Sequence, residues 1–262
     1  MPDWIEVILL GIIEGITEFL PISSTGHLLI AQRWLAPRSD LFNVVIQVGA
    51  VLAVLPLFPE RLRQFATCWR NTVGRDYLLK MACAFAITGV GGLWLERSGF
   101  KLPEEVGPVA VALLVGGVLF IGVERLLRGR PQQTAITWTV AVAVGFGQLL
   151  AAIFPGTSRS GSTILLALCL GLSRPAATEF SFLVGIPTML AAGGLKLFKG
   201  LRQTPVDAVP EDWGLLILGS LVAAVVSFVV VRWLLRFVQT HTFEGFGWYR
   251  VGLGVLLLLL VA

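Results

Sequence analysis

The stretch Pro155-Gly156-Thr157-Ser158-Arg159-Ser160-Gly161 decides the fold, because it interrupts an otherwise apolar region, Ile136 to Leu172. A second stretch, Pro21-Ile22-Ser23-Ser24-Thr25-Gly26, interrupts the apolar region Trp4 to Leu35 in the same way. Proline and glycine end helices, and hydroxyl side chains cap new ones. Each region is therefore predicted to form a helix, a polar turn and a second helix, a hairpin that enters a membrane and returns.

The composition around these breaks is that of an integral membrane protein. Of the 262 residues, 56% are hydrophobic and only 14% are charged, and the mean hydropathy is +0.84. So few charges cannot coat a water-soluble globule. This excludes a secreted enzyme and a nucleic-acid-binding protein, and the unpaired spacing of the three cysteines excludes a disulfide scaffold.

Uninterrupted apolar stretches predict the membrane spans, at roughly 20 residues per crossing. They run Phe42 to Phe58, Tyr77 to Leu95, Gly107 to Leu127, Ala176 to Leu197, Trp213 to Leu235 and Phe246 to Ala262. The predicted fold is all-α: one integral membrane domain over residues 1–262, with about six transmembrane helices plus two re-entrant helical hairpins.

An internal repeat relates the two halves of the chain, about residues 1–130 and 131–262. An offset of 134 residues aligns Pro21 with Pro155, Ser23 with Thr157 and Ser24 with Ser158. Each half then reads as one hairpin followed by three spans. Because three is odd, the halves are predicted to be inverted relative to each other, an inverted-topology repeat whose two broken tips meet near the midplane.

The loop cations predict the orientation. One side receives 11 arginines and the other receives 7 cations, so the positive-inside rule assigns the first side to the cytoplasm and both termini to the outside. The first set is Arg61, Arg63, Arg70, Arg75, Arg125, Arg128, Arg130, Arg174, Arg232, Arg236 and Arg250, and the second is Arg33, Arg38, Arg97, Lys101, Lys196, Lys199 and Arg202.

Two carboxylates in the first hairpin are candidate catalytic and metal-binding groups. Glu14 and Glu18 are four residues apart, which places them on one face of a helix. Acids at membrane depth are expensive unless they are paired, hydrated or bound to a cation. The pair therefore suits a divalent cation such as Mg²⁺ or Ca²⁺, or a shared proton. The alternative is a shallow helix whose acids reach water at the interface.

The polar turn after these acids suits an anion. N–H groups at the start of a helix bind phosphate. His27 is three residues after Ser24, so its imidazole can reach either the Ser24 hydroxyl or a phosphate oxygen and act as a base or acid. The alternative is ordinary helix capping by Ser23 or Ser24, with His27 as an interfacial polar residue.

Arg159 is the most specific signal, because it lies among hydroxyls and glycines between apolar helices. An arginine at membrane depth demands an anionic partner, and its planar fork matches phosphate oxygens. The alternative is a structural salt bridge to Glu14 or Glu18. Other donors expected to bind substrate are Ser23, Thr25, Gly26, Gly156, Thr157, Ser158, Ser160 and Thr163, with Asn43, Gln47, Gln148, Glu179 and Ser181 as secondary polar candidates.

Together these residues predict a membrane site for a phosphorylated lipid. At the same residues the chain resembles the undecaprenyl-diphosphate phosphatase family, also called bacitracin-resistance proteins. The resemblance rests on Glu14 to Glu18, Phe19 to His27, Pro155 to Thr163 and Glu179 to Phe182, and it extends over essentially the whole chain.

The resemblance implies hydrolysis of the terminal phosphate of undecaprenyl diphosphate, for recycling of the cell-wall lipid carrier. It implies an active site facing the periplasm in the bacterial inner membrane, with a divalent metal at Glu14 and Glu18 and Arg159 as the phosphate clamp. Ser24 matches the candidate nucleophile and His27 the proton carrier, and attack by Ser24 and direct attack by water both stay open. A polyprenyl-phosphate transporter, or flippase, is the alternative, since it needs the same anion site. The sequence permits a homodimer without requiring one.

Overall fold

The computed structural model describes residues 1–31, 34–36, 38–99, 106–202 and 212–261, so Arg33, Lys101 and the final residue of the last predicted span lie outside the described residues. Within them the chain is helical, and the one bridge between extended segments joins Gln133 to Leu172. The helices are α1 Asp3–Thr17, α2 Ser24–Ala31, α3 Asp40–Val54, α4 Pro59–Ala66, α5 Thr72–Arg97, α6 Val106–Leu126, α7 Trp138–Ile153, α8 Arg159–Cys169, α9 Arg174–Arg202, α10 Trp213–Phe237 and α11 Glu244–Val261.

The chain is a multi-pass membrane protein. In the described residues four helices are long and apolar enough to cross a bilayer: Thr72–Arg97, Val106–Leu126, Arg174–Phe198 and Trp213–Phe237. The predicted span Phe42 to Phe58 corresponds to α3 and the 3₁₀ turn Leu55–Leu57 that continues it, and the chain then bends by 84° into α4. It counts as a fifth span only if the bent pair is taken together. The sixth predicted span corresponds to the 18-residue helix α11.

Both predicted hairpin regions contain two helices with a break between them. In the first, α1 has 15 residues and α2 has 8; in the second, α7 has 16 and α8 has 11. Each is shorter than the roughly 20 residues that a crossing helix needs. The breaks fall at residues 18–23 and 154–158, where the sequence places its prolines and hydroxyl residues.

The helices around the two hairpins pack in a reciprocal way. The first hairpin helix, α1, packs along α10, and the corresponding α7 packs along α5, while α6 and α11 pack along each other. Gly117 and Gly247 permit this last contact, since a Cβ on Gly117 would lie 2.7 Å from the Gly247 carbonyl oxygen. Close backbone approach through small residues is a common mode of helix association in membranes.

Ion pairs join the helix ends that the cation count assigns to one side. Arg61 of α4 pairs with Glu179 at the start of α9, and Arg174 pairs with Glu124 near the end of α6. Arg125 pairs with Glu244 at the start of α11. Arg250 does not belong to this set, because its side chain is fully buried within the helix bundle. Its inclusion among the cations of loops and span ends was wrong.

Candidate functional site

The two breaks meet inside the protein. The Ser160 hydroxyl, at the start of α8, donates to the Leu20 carbonyl in the first break at 3.1 Å. Arg250 of α11 donates to the Pro21 carbonyl at 3.0 Å and to the Gly156 carbonyl at 3.3 Å, one in each break. Residues 140 positions apart are therefore held in direct contact.

Each break ends with a serine in the left-handed region of the backbone. Ser23 has φ +75° and Ser158 has φ +68°, a conformation that costs a non-glycine residue about 1 to 3 kcal/mol. Each serine hydroxyl accepts from the N–H three residues later, Gly26 or Gly161. The turns thus match at an offset of 135 residues, one more than the sequence alignment, because Ser23 rather than Ser24 corresponds to Ser158.

Arg250 binds backbone carbonyls on three segments. Besides the two breaks, its guanidinium donates to the Ala112 carbonyl of α6 at 3.2 Å, and Nε lies 3.5 Å from the Leu113 carbonyl oxygen. A Cβ on Gly116 would collide with the guanidinium, so glycine at that position makes room for it. Arg250 therefore holds both tips at fixed positions against α6.

A chain of hydrogen bonds connects the tips at Glu18. Arg159 Nη2 donates to Glu18 Oε1 at 3.1 Å, and the Ser24 hydroxyl donates to Glu18 Oε2 at 2.7 Å. Gln47 of α3 donates to the same Oε2 at 3.2 Å. This is the Arg159 salt bridge expected of a structural arginine, and it also places the Ser24 oxygen beside a carboxylate that can accept its proton.

The guanidinium of Arg159 retains binding capacity after this ion pair. Its Nη1 atom is buried, and among the described residues it has no hydrogen-bond partner. A Cβ on Gly185 of α9 would overlap Nη1, so the guanidinium lies directly against that backbone. A buried donor left over beside a carboxylate can bind an oxyanion.

These groups line one cavity of about 240 Å³, which we call the site cavity. Its polar lining comes from both breaks and from helices around them. The lining includes Glu18, Ser23, Ser24, Thr25, Gln47, Thr88, Gln148, Gly156, Ser158, Arg159 and Thr188. The N-termini of α2 and α8 both border the cavity. The first N–H groups of a helix have no carbonyl partner within that helix. The cavity therefore offers a guanidinium, hydroxyls and helix starts to an anion.

Glu14 lies one turn before Glu18 and is almost completely buried. It interacts electrostatically with Glu18 and Arg159, and its Oε2 atom has no hydrogen-bond partner in the described part of the chain. No group of three or more His, Cys, Asp or Glu side chains with metal-binding geometry occurs among the described residues. Two carboxylates are still a set that suits Mg²⁺, since this ion is usually bound by one or two carboxylates together with substrate phosphates.

The expected contact between Ser24 and His27 is absent. Since a carbonyl only accepts, His27 Nδ1 donates to the Ser23 carbonyl at 2.7 Å, and in the neutral ring Nε2 accepts from the Tyr249 hydroxyl at 2.6 Å. The two rings are stacked with centroids 5.7 Å apart. His27 does not line the site cavity, so Glu18 takes the place beside Ser24 that the sequence suggested for histidine.

Four predicted substrate-binding residues also lie outside the cavity lining: Gly26, Thr157, Ser160 and Thr163. Ser160 and Thr163 are fully buried and donate to backbone carbonyls, so they stabilise the second break. The secondary candidate Glu179 binds Arg61 and Tyr77 instead. Sequence reasoning missed Thr88 and Thr188 in the cavity lining and misplaced Arg250, since isolated threonines and a helical arginine carry no motif.

Comparison with known proteins gives a consistent result. The family described as bacitracin resistance protein BacA matches residues 7–256. A protein of Rhizobium etli named undecaprenyl-diphosphatase is 50% identical over 257 residues, 98% of this chain and 96% of that protein. Proteins of the same name from Xanthomonas oryzae pv. oryzae and Xylella fastidiosa are 49% and 48% identical, covering 97% and 98% of those proteins. The chain belongs to the bacitracin resistance protein BacA family.

Proposed function

We propose that this chain is an undecaprenyl-diphosphate phosphatase, a hydrolase that removes the terminal phosphate of undecaprenyl diphosphate. The product, undecaprenyl phosphate, is the lipid carrier of cell-wall synthesis. One observation carries the proposal: Arg159, Glu18 and Ser24 form a continuous hydrogen-bonded chain in one cavity, with a guanidinium nitrogen left over. The names of relatives about 50% identical over the whole chain support the same substrate.

In the mechanism, the Arg159 guanidinium binds the terminal phosphate while Nη2 stays on Glu18. The Ser24 oxygen then forms a bond to the terminal phosphorus as the bond from that phosphorus to the bridging oxygen breaks. The leaving lipid phosphate takes the electron pair, and the Ser24 proton passes to Glu18 Oε2, 2.7 Å from the hydroxyl oxygen. Water then releases phosphate from Ser24. In the direct alternative, water attacks in the place of Ser24.

Trapping during turnover with substrate labelled at its terminal phosphorus separates the two routes. Mass spectrometry of Ser24 finds the label if a phosphoserine forms. No label on Ser24, in a preparation that releases labelled phosphate, rejects the covalent route and leaves direct attack by water.

Glu14 and Glu18 would hold a divalent cation, Mg²⁺ or Ca²⁺, together with substrate oxygens. When bound, such an ion neutralises charge on the diphosphate. The orphaned Oε2 atom of Glu14 supports this, because a buried carboxylate oxygen without a donor is expensive unless it meets a cation. EDTA is expected to abolish phosphate release, and Mg²⁺ or Ca²⁺ to restore it. Undiminished turnover in EDTA would contradict metal binding by Glu14 and Glu18, and a proton shared between the two carboxylates would then be their role.

In the membrane we propose six spans and two re-entrant hairpins related by an inverted repeat. The bent α3–α4 pair is the fifth span and α11 the sixth, and the reciprocal packing of α1 on α10 and of α7 on α5 supports the repeat. Without Arg250, ten arginines of loops and helix ends still face seven cations, which supports a cytoplasmic position for Arg61, Arg125 and Arg174. The site cavity then opens to the periplasmic side of a bacterial inner membrane.

The decisive experiment is phosphate release by the purified protein in detergent, where no second compartment exists. An enzyme releases phosphate from undecaprenyl diphosphate there, whereas a flippase without hydrolytic activity does not. Glu18→Gln is expected to reduce release at least about 100-fold, because it removes both the partner of Arg159 and the acceptor of the Ser24 proton. Glu179→Gln is the matched control, since Glu179 binds an arginine but lies outside the site cavity.

A further inference from the structure

An apolar groove adjoins the site cavity and is larger than it. This groove, which we call the α6–α7 groove, has a volume of about 590 Å³. Its wall on α6 includes Val111, Val115 and Leu119, and its opposite wall includes Leu150, Phe154 and Pro155. These apolar side chains are half exposed, so the groove opens on the outer, lipid-facing surface of the bundle.

Pro155 is common to the walls of the α6–α7 groove and the site cavity. It lines the site cavity on one side and the groove on the other, and the following residue Gly156 lies in the cavity wall. The tip is seated against the start of α6, since a Cβ on Gly156 would lie 2.7 Å from the Val109 carbonyl oxygen. The groove lining on α6 runs from Pro108 to Leu119, about 16 Å at 1.5 Å per residue.

A second apolar groove provides an internal comparison. It has about 410 Å³ and lies beside the first hairpin, where Ile16, Leu20, Ile22, Trp233, Phe246 and Tyr249 contribute to its wall. No residue in the described part of the chain lines both this groove and the site cavity. The two hairpins are thus each flanked by an apolar groove, and of these two grooves the α6–α7 groove is the one that shares a lining residue, Pro155, with the site cavity.

We propose that the α6–α7 groove binds the polyprenyl chain of the substrate while the diphosphate occupies the site cavity. This rests on the proposed function and adds the location of the lipid chain. An isoprenoid diphosphate has one charged end and one apolar end. The polar cavity suits the charged end, and the apolar groove, which adjoins the cavity at Pro155, suits the apolar end. Lipid tails are as apolar as the groove, so the groove selects and orients the chain by packing rather than by a large hydrophobic gain.

The test narrows the groove without touching the cavity. Val115→Trp places an indole in the groove, about 9 Å along α6 from Val109 at 1.5 Å per residue. Its control is Val118→Trp on the same helix, which is at least as exposed but does not line the groove. Hydrolysis is measured in detergent with undecaprenyl diphosphate and with geranyl diphosphate, which has only two isoprene units.

We expect Val115→Trp to lower kcat/KM for undecaprenyl diphosphate at least 10-fold and for geranyl diphosphate less than 3-fold, with Val118→Trp changing neither. Equal losses on both substrates, or no loss on the long one, would overturn the groove assignment. So would a selective long-chain loss in Ile16→Trp, which narrows the second groove instead. If the parent protein hydrolyses neither substrate, the proposed function itself fails, and that outcome is distinct from all of these.

Discussion

Arg159 and Arg250 are both arginines inside a membrane protein, and both contact the broken hairpins, yet their surroundings differ. Arg250 is fully buried and donates to backbone carbonyls on both breaks and on α6, with no carboxylate among its partners. Arg159 has a partly exposed side chain in the site cavity, binds the carboxylate of Glu18 and retains a nitrogen without a partner.

The difference separates two uses of the same side chain. Arg250 has its guanidinium occupied by carbonyl oxygens, so it stabilises the arrangement of the tips and has little to offer a ligand. Arg159 is incompletely satisfied in a cavity that can admit a phosphate. A charge at membrane depth indicates function by default, but the partners of that charge distinguish a structural from a ligand-binding role.

The largest expected effect comes from Arg159→Lys. The ammonium keeps the charge but loses the planar fork that holds Glu18 and phosphate together, so kcat/KM should fall at least about 100-fold. Arg61→Lys is the control, because Arg61 also binds a carboxylate but lies outside the site cavity. Near-normal turnover in Arg159→Lys would reduce Arg159 to a second structural arginine.

The next effect concerns stability. Arg250→Met removes the guanidinium and leaves the buried carbonyls of Pro21 and Gly156 without a donor, at roughly 1 to 3 kcal/mol each. The unfolding temperature in detergent should fall by several degrees. Arg125→Met should change it little, because Arg125 forms an exposed ion pair. Full stability of Arg250→Met with loss of hydrolysis would instead make Arg250 part of the phosphate site.

The two breaks were predictable because their signals are local. Proline, glycine and serine act on their own stretch of backbone, so the positions of α1, α2, α7 and α8 follow from short motifs. Glu18 and Arg159 were predictable as site residues because a charge in an apolar region has to be explained. The sequence alignment was off by one residue, because it matched the prolines and so paired Ser24 with Ser158. In the structure Ser23 corresponds to Ser158, since these two serines have left-handed backbone conformations.

The environment of Arg250 could not be predicted in the same way. Its acceptors belong to Pro21 and Gly156, 229 and 94 residues away in the chain, and they are carbonyls that every residue has. Likewise, His27 was expected to contact Ser24 from their spacing, but Tyr249 on α11 holds its ring elsewhere. Contacts that depend on how distant helices pack leave no local pattern.

A smaller effect is expected at Gly185, the glycine that lies against Arg159, and it tests the difference between Arg159 and Arg250. Gly185→Ala would place a Cβ on Nη1, and because the guanidinium borders the cavity it can move away from Glu18. We expect about a 10-fold loss of kcat/KM, equivalent to about 1.4 kcal/mol of transition-state stabilisation, with little change in unfolding temperature. Gly194→Ala on the same helix is the control, because a Cβ there meets nothing within 4 Å. Equal activities in the two variants would mean that Arg159 tolerates displacement.

The smallest effect is expected for the corresponding glycine beside Arg250. Gly116→Ala would place a Cβ against the buried guanidinium, which cannot move without giving up carbonyl partners. Its unfolding temperature should therefore fall by a few degrees, while Gly122→Ala on the same helix, with open space at its Cβ, should be neutral or slightly stabilising. Activity in Gly116→Ala should change less than in Gly185→Ala, measured at a temperature where both are folded. If Gly116→Ala instead loses activity and keeps its stability, the two arginines share one role, and the distinction drawn from their partners is wrong.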